Sequence, residues 1–296
     1  YGLAYGDIST GEMNVSIEEH NATNIVSEIV SIGMKEMIIA SNVDKAIVSL
    51  LKHQFHMSVT ITDANDVPKE YETIYKNITD VRLIDALKHL ICYMLDTQKR
   101  DLSHLQPAVV REKKKSLKMD IHTKRNLELT ETLRLKQRNN SLIWLLDKTK
   151  TAMGSRMLKQ FIENPLVDID EIERRYDMVE ILLKEFLIKA DLQNLLYEVY
   201  DLERLSGRIA FGNANARDLL QLKNSLKVLP GIHEILEQIG FYKNVETLPE
   251  LYQLLEDSIY ENPPISIKEG YLIKEGYHRE LDELKDLRKG GKDFVA

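Results

Sequence analysis

Cysteine is nearly absent from this sequence of 296 residues: Cys92 alone occurs. One thiol cannot close a disulfide within a chain, so no cystine framework can hold the fold. It lies in the apolar stretch Leu90-Ile-Cys-Tyr-Met-Leu95, where a buried, inert thiol is expected. No uninterrupted run of about 18 apolar residues occurs, so no segment has the composition of a membrane-spanning helix. The opening residues read as strand, not as the basic, apolar and small-residue succession of a secretory leader. With the lone cysteine, this suggests a cytoplasmic setting. A Gly-x-x-x-x-Gly-Lys-Ser/Thr loop, whose amides and lysine would cradle phosphates, is also missing. Gly290-Gly-Lys292 continues into Asp-Phe without a hydroxyl and reads as a flexible loop or a helix interruption. Positive charge is in deficit: 40 Lys and Arg stand against 47 Asp and Glu, a net of -7, which argues against a polyanion-binding surface over the whole chain.

What is present suggests two domains, since one core rarely grows past roughly 250 residues. Residues 1–107 hold nine basic and fifteen acidic side chains, whereas residues 111–138 hold ten and four. The change falls beside Leu105-Gln-Pro-Ala108, a plausible linker, and there the chain divides. In residues 1–107, Leu3–Ile8 and Met13–Ile17 alternate around the turn Ser9-Thr-Gly-Glu12, the pattern of a hairpin. A helix over Asn24–Ile32 ends at Gly33, a strand follows over Glu36–Ala40, an amphipathic helix over Val43–Gln54 and a strand over Val59–Thr62. Leu83–Leu95 is apolar on most sides and predicts a helix lying across a sheet. An α/β layer results.

Metal-dependent nuclease chemistry would need three or four carboxylates converging at strand ends. Asp7 closes its strand as required. Glu36 opens its strand instead, and Asp63 falls in a turn, so the set does not line up. His53 and His56 have a spacing that could share a helix face, but no cysteine or carboxylate at ligand-like spacing joins them. Solvated histidines near a helix C-terminus are the simpler reading.

Beyond Leu117 the pattern becomes helical. A short strand ending at Met119-Asp120 leads to a helix from Ile121, with Leu127, Leu129, Leu133 and Leu135 as its marks. Leu142, Leu145, Leu146, Met153, Met157, Leu158, Phe161 and Ile162 step by three and four along a second helix. Met153 and Met157 read as core fillers, and Trp144 lies off the stripe. Gly154 costs that helix about 1 kcal/mol relative to alanine, so something should approach its backbone closely. Glu163-Asn-Pro165 stops it. Asp168-Ile-Asp170 starts the next helix, with a buried stripe of Ile172, Tyr176, Val179, Leu182 and Leu183. Asp201–Ala210 is helical, with charges paired three residues apart. Asn213–Asp218 caps a further helix whose stripe begins Leu219, Leu222, Leu226, Leu229. Ile265–Lys268 and Tyr271–Glu275 read as a second hairpin, and Tyr277–Arg288 as a charged helix with a thin seam of Leu281, Leu284 and Leu287.

Four blocks carry a specific likeness: Leu127-Glu-Leu-Thr, Thr151-Ala-Met-Gly-Ser-Arg-Met-Leu, Asp201-Leu-Glu-Arg-Leu-Ser-Gly-Arg-Ile, and Gly-Tyr277 followed by Glu-Leu-Asp. In order and spacing they resemble the MutS family of bacterial DNA mismatch-repair proteins, over essentially the whole chain and most specifically in its second part. The resemblance implies an α/β connector domain with a ribonuclease H-like fold over residues 1–107. A mostly α-helical core and lever domain would follow over 108–262, and a hairpin with the start of a truncated lever helix toward the clamp over 263–296. It implies a fragment without its own catalytic or cofactor site, coupling ATP state to the clamping of mismatched double-stranded DNA. ATP and magnesium, the mismatch-reading wedge and the homodimer contact would lie outside this chain, which would itself be a monomer or weak dimer. The connector would form part of a docking surface for MutL. Candidates for touching the DNA backbone are Lys113, Lys114, Lys115, Arg288, Lys289 and Lys292, although a solvated linker is the simpler reading of the first three. The alternatives are a ribonuclease H-like nuclease and a helical protein-interaction scaffold unrelated to DNA.

Overall fold

The computed structural model describes residues 1–19, 21–34, 36–98, 102–111, 116–117, 119–241 and 245–295. They form two compact units, one of Tyr1–Val179 with Ser206–Gly212, the other of Glu180–Leu205 with Asn213–Ala296.

The first unit opens with an antiparallel hairpin, β1 (Gly2–Asp7) and β2 (Glu12–Ile17), in which Tyr5 faces Asn14 and Asp7 faces Glu12. Its turn is fixed by Asp7, whose carboxylate accepts from the Ser9 N–H at 2.8 Å and the Ser9 hydroxyl at 2.6 Å. α1 (Ala22–Ile32) ends where the Gly33 backbone turns left-handed at φ 79°, a conformation glycine adopts without penalty. β3 (Glu36–Ile39) pairs in parallel with β4 (Ser58–Ile61), and α2 (Lys45–Ser49) between them passes into a π-helical turn over Leu50–Gln54. α3 (Val81–Gln98) packs on β1, β2 and β3. β5 (Val109–Val110) adds in parallel to β2, giving one sheet in the order β1-β2-β5 and a second of β3-β4.

Two apolar clusters result. Met13, Val15, Leu83, Leu87, Ile91 and Leu102 are essentially solvent-free in one, and Ile25, Ile29, Ile39, Ile47 and Leu51 form the other. The α/β layer, its hairpin and its long cross-sheet helix match the reading of the sequence. Cys92 is buried, with its Sγ 3.4 Å from the Asp66 carbonyl oxygen, and burial pushes the thiol's pKa up.

The helical part differs from its sequence pattern in several places. First, the strand at Met119-Asp120 is reduced to a single bridge, Ser116 with Leu166. Asp120 instead caps α4 (Ile121–Asn126), accepting from the backbone of His122 at 2.8 Å and of Thr123 at 3.0 Å. Second, α4 does not reach Leu135. Glu128 adopts φ 48° and its carboxylate accepts from the Leu133 N–H at 2.6 Å, so local side-chain bonding replaces the helical ladder. Third, the helix expected over 142–162 is two, α5 (Leu142–Leu146) and α6 (Ala152–Glu163).

The fourth difference is burial. Among the described residues no side chain of α6 or of α7 (Ile169–Lys184) is buried. Met157 is 51% exposed, Tyr176 68% and Leu183 64%, so neither Met157 as a core filler nor the α7 stripe as a buried one survives. α8 (Phe186–Tyr197) and α9 (Leu202–Ala210) follow. α10 (Ala216–Gln238) starts with a capping box: Asn215 and Asp218 each bond the other's backbone N–H, at 3.1 and 2.9 Å. Leu226 joins Leu255 of α11 (Pro249–Ser258) and Ile259 in the second unit's core, with Leu219, Leu222 and Leu229 beside them. The buried Lys223 is neutralised there by Glu256 at 2.8 Å.

Fifth, residues 265–275 form no hairpin. Ile267–Glu269 is a 3-10 turn ending in Gly270 at φ 77°, and Ile273 pairs by an antiparallel bridge with Ile259 instead. α12 (Arg279–Val295) begins as expected but runs through Gly290-Gly291 without a break, where a loop or interruption had been anticipated.

Candidate functional site

A dense polar constellation lies at the elbow between α5 and α6, at the start of a block that carries the family likeness. Asp147 ends α5 with an extended backbone at ψ 97°. Its Oδ1 accepts from the Thr149 N–H at 3.1 Å and the Thr149 hydroxyl at 2.6 Å. Its Oδ2 accepts from the Ser155 hydroxyl at 2.6 Å and from the Arg138 guanidinium. Thr151 then caps α6 through Oγ1, which accepts from the Gly154 N–H at 2.9 Å. A Cβ at Gly154 would stand 3.0 Å from that oxygen and 3.3 Å from Thr149 Cβ. The close approach to this glycine is therefore made by its own capping residues, in the first turn rather than mid-helix.

Hydrogen bonds to the charged form favour it. The Ser155 and Thr149 hydroxyls, with Arg138, hold the Asp147 carboxyl well below the usual carboxylate range. A carboxylate with both oxygens engaged in this way is a poor general base and a good structural clamp. The network is only partly legible in the sequence. The legible signal was Asp-x-Thr, a spacing at which a carboxylate commonly bonds its own chain two residues on; Arg138, nine residues upstream, left no such signal.

The remaining candidates do not assemble. Asp7 is occupied by Ser9, Asp63 accepts from the Ser41 N–H at 2.8 Å, and Glu36 accepts from the Tyr93 hydroxyl. Among the described residues no group of three His, Cys, Asp or Glu side chains is placed to hold a metal ion. His53, in the π-helical turn, and His56, at φ 51°, are both exposed. Lys113, Lys114 and Lys115 lie outside the described residues. Arg288, Lys289 and Lys292 fall on the backbone of α12, and their side chains lie outside what is described. Among the described residues no helix is long and apolar enough to cross a membrane.

A small mixed α/β layer followed by a mostly helical region defines the class as an α/β domain joined to a helical one. Residues 1–106 match the family model of MutS domain II, and residues 122–292 that of MutS domain III. The chain belongs to the MutS family. It is similar over its whole length to proteins named DNA mismatch repair protein MutS, with 44% identity to that of Bacillus subtilis (strain 168) and 45% to those of Bacillus licheniformis and Bacillus velezensis. It spans about a third of their length: 35% of the first and third and 34% of the second.

Proposed function

We propose that this chain is the connector and lever of a longer mismatch-recognition protein and has no catalytic chemistry of its own. Residues 1–107 are the connector, 108–262 the helical core and lever, and 263–296 the start of an arm toward a DNA clamp. The longer polypeptide would bind ATP and mismatched duplex elsewhere, in the cytoplasm, as a homodimer. The helices described here would relay nucleotide state to the grip on DNA, an energetic coupling between separate sites. The reading is carried by the unbroken succession of the two domain matches, II over 1–106 and III over 122–292. It is supported by the Asp147 elbow, where the polar groups are spent on joining helices. The connector offers part of the surface for MutL. Lys113, Lys114, Lys115, Arg288, Lys289 and Lys292 would meet DNA phosphates.

Fluorescence anisotropy with matched and mismatched duplexes tests this. The 296-residue chain should bind both weakly and alike, and binding should fall steeply between about 50 and 200 mM salt as counterions compete for the phosphates. Tight, mismatch-selective binding would overturn the proposal, because the chain would then carry the recognition site itself.

A further inference from the structure

Trp144 is the one tryptophan of the sequence, and it is 49% exposed. It lies in α5 beside the buried Ile143 and two residues from both Leu142 and Leu146. At about 3.6 residues per turn it falls on the far side of that helix from these leucines. Among the described residues its ring stacks on no aromatic ring or cation, and its indole N–H has no acceptor. Such a side chain contributes little to the fold, while its large flat face has much to gain from being covered by a partner.

The stretch that carries it is strongly basic within an acidic chain. Residues 121–160 hold nine Lys and Arg against three Asp and Glu, whereas the whole sequence holds 40 against 47. Two of the three acids are already engaged, Asp147 by Thr149, Ser155 and Arg138, and Glu128 by the Leu133 N–H. Six cations, Lys124, Arg125, Arg134, Lys136, Lys148 and Lys150, make no ion pair or side-chain hydrogen bond among the described residues, and all but Lys124 are exposed. Backbone bonds fold the stretch about α5. The Leu142 and Ile143 N–H groups donate to the Glu128 and Leu129 carbonyls at 3.0 and 2.9 Å, and the Leu129 N–H to the Lys124 carbonyl at 3.4 Å. Arg138 is held on Asp147, where α5 ends, and Lys148 and Lys150 follow directly. The unpaired cations are thereby gathered around the helix that presents Trp144.

We propose that this surface binds single-stranded DNA, with phosphates against the cations and a base stacked on Trp144. Unpaired cations beside an open aromatic face are what a strand with exposed bases requires. A duplex keeps its bases stacked inside and would use the cations alone. An acidic protein segment would also satisfy the cations but would leave the indole face without a stacking partner. This inference is independent of the connector-and-lever reading, which asks nothing of Trp144.

Intrinsic fluorescence of the 296-residue chain tests the proposal, because Trp144 is its only emitter of that kind. An oligothymidylate of about 12 nucleotides should quench the emission, and a duplex of the same length should leave it unchanged. With four of the six cations on phosphates, affinity for the single strand should fall about 50-fold between about 50 and 200 mM salt. Trp144→Leu, followed by the anisotropy of a labelled strand, should weaken binding at least about 5-fold without altering the salt slope. Lys148→Ala with Lys150→Ala should weaken binding and flatten that slope by about 1.4. These three side chains are exposed, so both variants keep the core intact. Absence of quenching at about 50 mM salt, equal quenching by the duplex, or parent-like affinity in Trp144→Leu would each overturn the proposal. Quenching by a glutamate oligomer as complete as by the oligothymidylate would make an acidic protein segment the partner, and would overturn it equally.

Discussion

Residues 1–110 and the helices α6 to α8 carry apolar residues in equally regular patterns, yet they end in opposite states. In the first region Met13, Leu51, Leu87, Ile91 and Leu102 are at most 1% exposed. In α6, α7 and α8 no described side chain is buried, and Phe161, Tyr176, Leu183 and Leu187 are 41 to 68% exposed. The Arg175 guanidinium lies 3.7 Å from the centroid of the Phe161 ring, a cation over an aromatic face. Periodicity reports which face of a helix is apolar. It does not report what covers that face. In the sheet region the cover is α3, which comes from farther along the chain and packs on β1, β2 and β3. α6 contacts α5 and α8 contacts α10, yet no described side chain of α6, α7 or α8 is buried by a neighbour, so these stripes keep a preference without a full cover.

The largest expected effect separates the two regions directly. Leu87→Ala deletes a fully buried side chain from the cluster around Met13, Val15 and Ile91 and should cost about 2–5 kcal/mol in urea unfolding, the usual range for a core leucine. Leu183→Ala, at a position 64% exposed, should change stability by less than about 0.5 kcal/mol. If the second cost approached the first, the α7 stripe would be covered in solution and the contrast would fail.

The elbow at Asp147 should respond less strongly, but with a pH signature that the core lacks. Its carboxyl is held down in the folded state by Ser155, Thr149 and Arg138, whereas an unfolded aspartate titrates near about 3.9. A depressed folded value means the contribution is fully present above the unfolded pKa and is lost as pH falls below about 4 toward the folded value. Asp147→Asn should therefore destabilise by about 1–2 kcal/mol near neutral pH, the scale of weakened hydrogen bonds to a charge. The gap between variant and parent should shrink in denaturation curves taken from about pH 5 downward. A gap independent of pH would show that the carboxylate's charge does not matter there. Thr151→Ala, which removes the cap of α6, should cost about 1 kcal/mol at every pH, giving the elbow two components that titration separates.

The same contrast explains what could be read from the sequence. The sheet region announced itself through short-range signals: alternation in β1 and β2, a turn over Ser9–Glu12, Gly33 after α1. Each is a local rule with a local outcome. The helical region was legible in its caps at Asp168 and Asn215, for the same reason. It was misread wherever a polar side chain competed with the helical ladder. Glu128 diverts its carboxylate to the Leu133 N–H, and Asp147 diverts the chain to Thr149, yet both sit in sequences with intact three- and four-residue apolar steps. The elbow network needed Arg138 and Ser155 brought to one carboxylate across a chain reversal. The hairpin expected around Gly270 failed because Ile273 found its partner at Ile259. That pairing depends on α11 standing close by, which alternation along 265–275 cannot encode.

Two glycines, one from each region, give the finest test. Gly33 has no neighbour within 4 Å of a built Cβ but stands at φ 79°, so Gly33→Ala should cost about 1 kcal/mol through backbone strain alone. Gly154 is the reverse case: its backbone is helical, and the obstacle is the 3.0 Å approach of Thr151 Oγ1 and the 3.3 Å approach of Thr149 Cβ. Alanine there gains up to about 1 kcal/mol of helix propensity and loses a comparable amount in crowding. Gly154→Ala alone should thus stay within about 0.5 kcal/mol of the parent in urea unfolding. Thr149 Cβ, 3.3 Å away, is the part of that crowding which can be removed without touching the cap. In a Thr149→Gly background that Cβ is gone, and Gly154→Ala, measured against that background, should turn stabilising by a few tenths of a kcal/mol. If it stayed neutral in that background, the glycine would be held by the Thr151 oxygen alone, and Thr151→Ala with Gly154→Ala would then recover part of the cost of losing the cap.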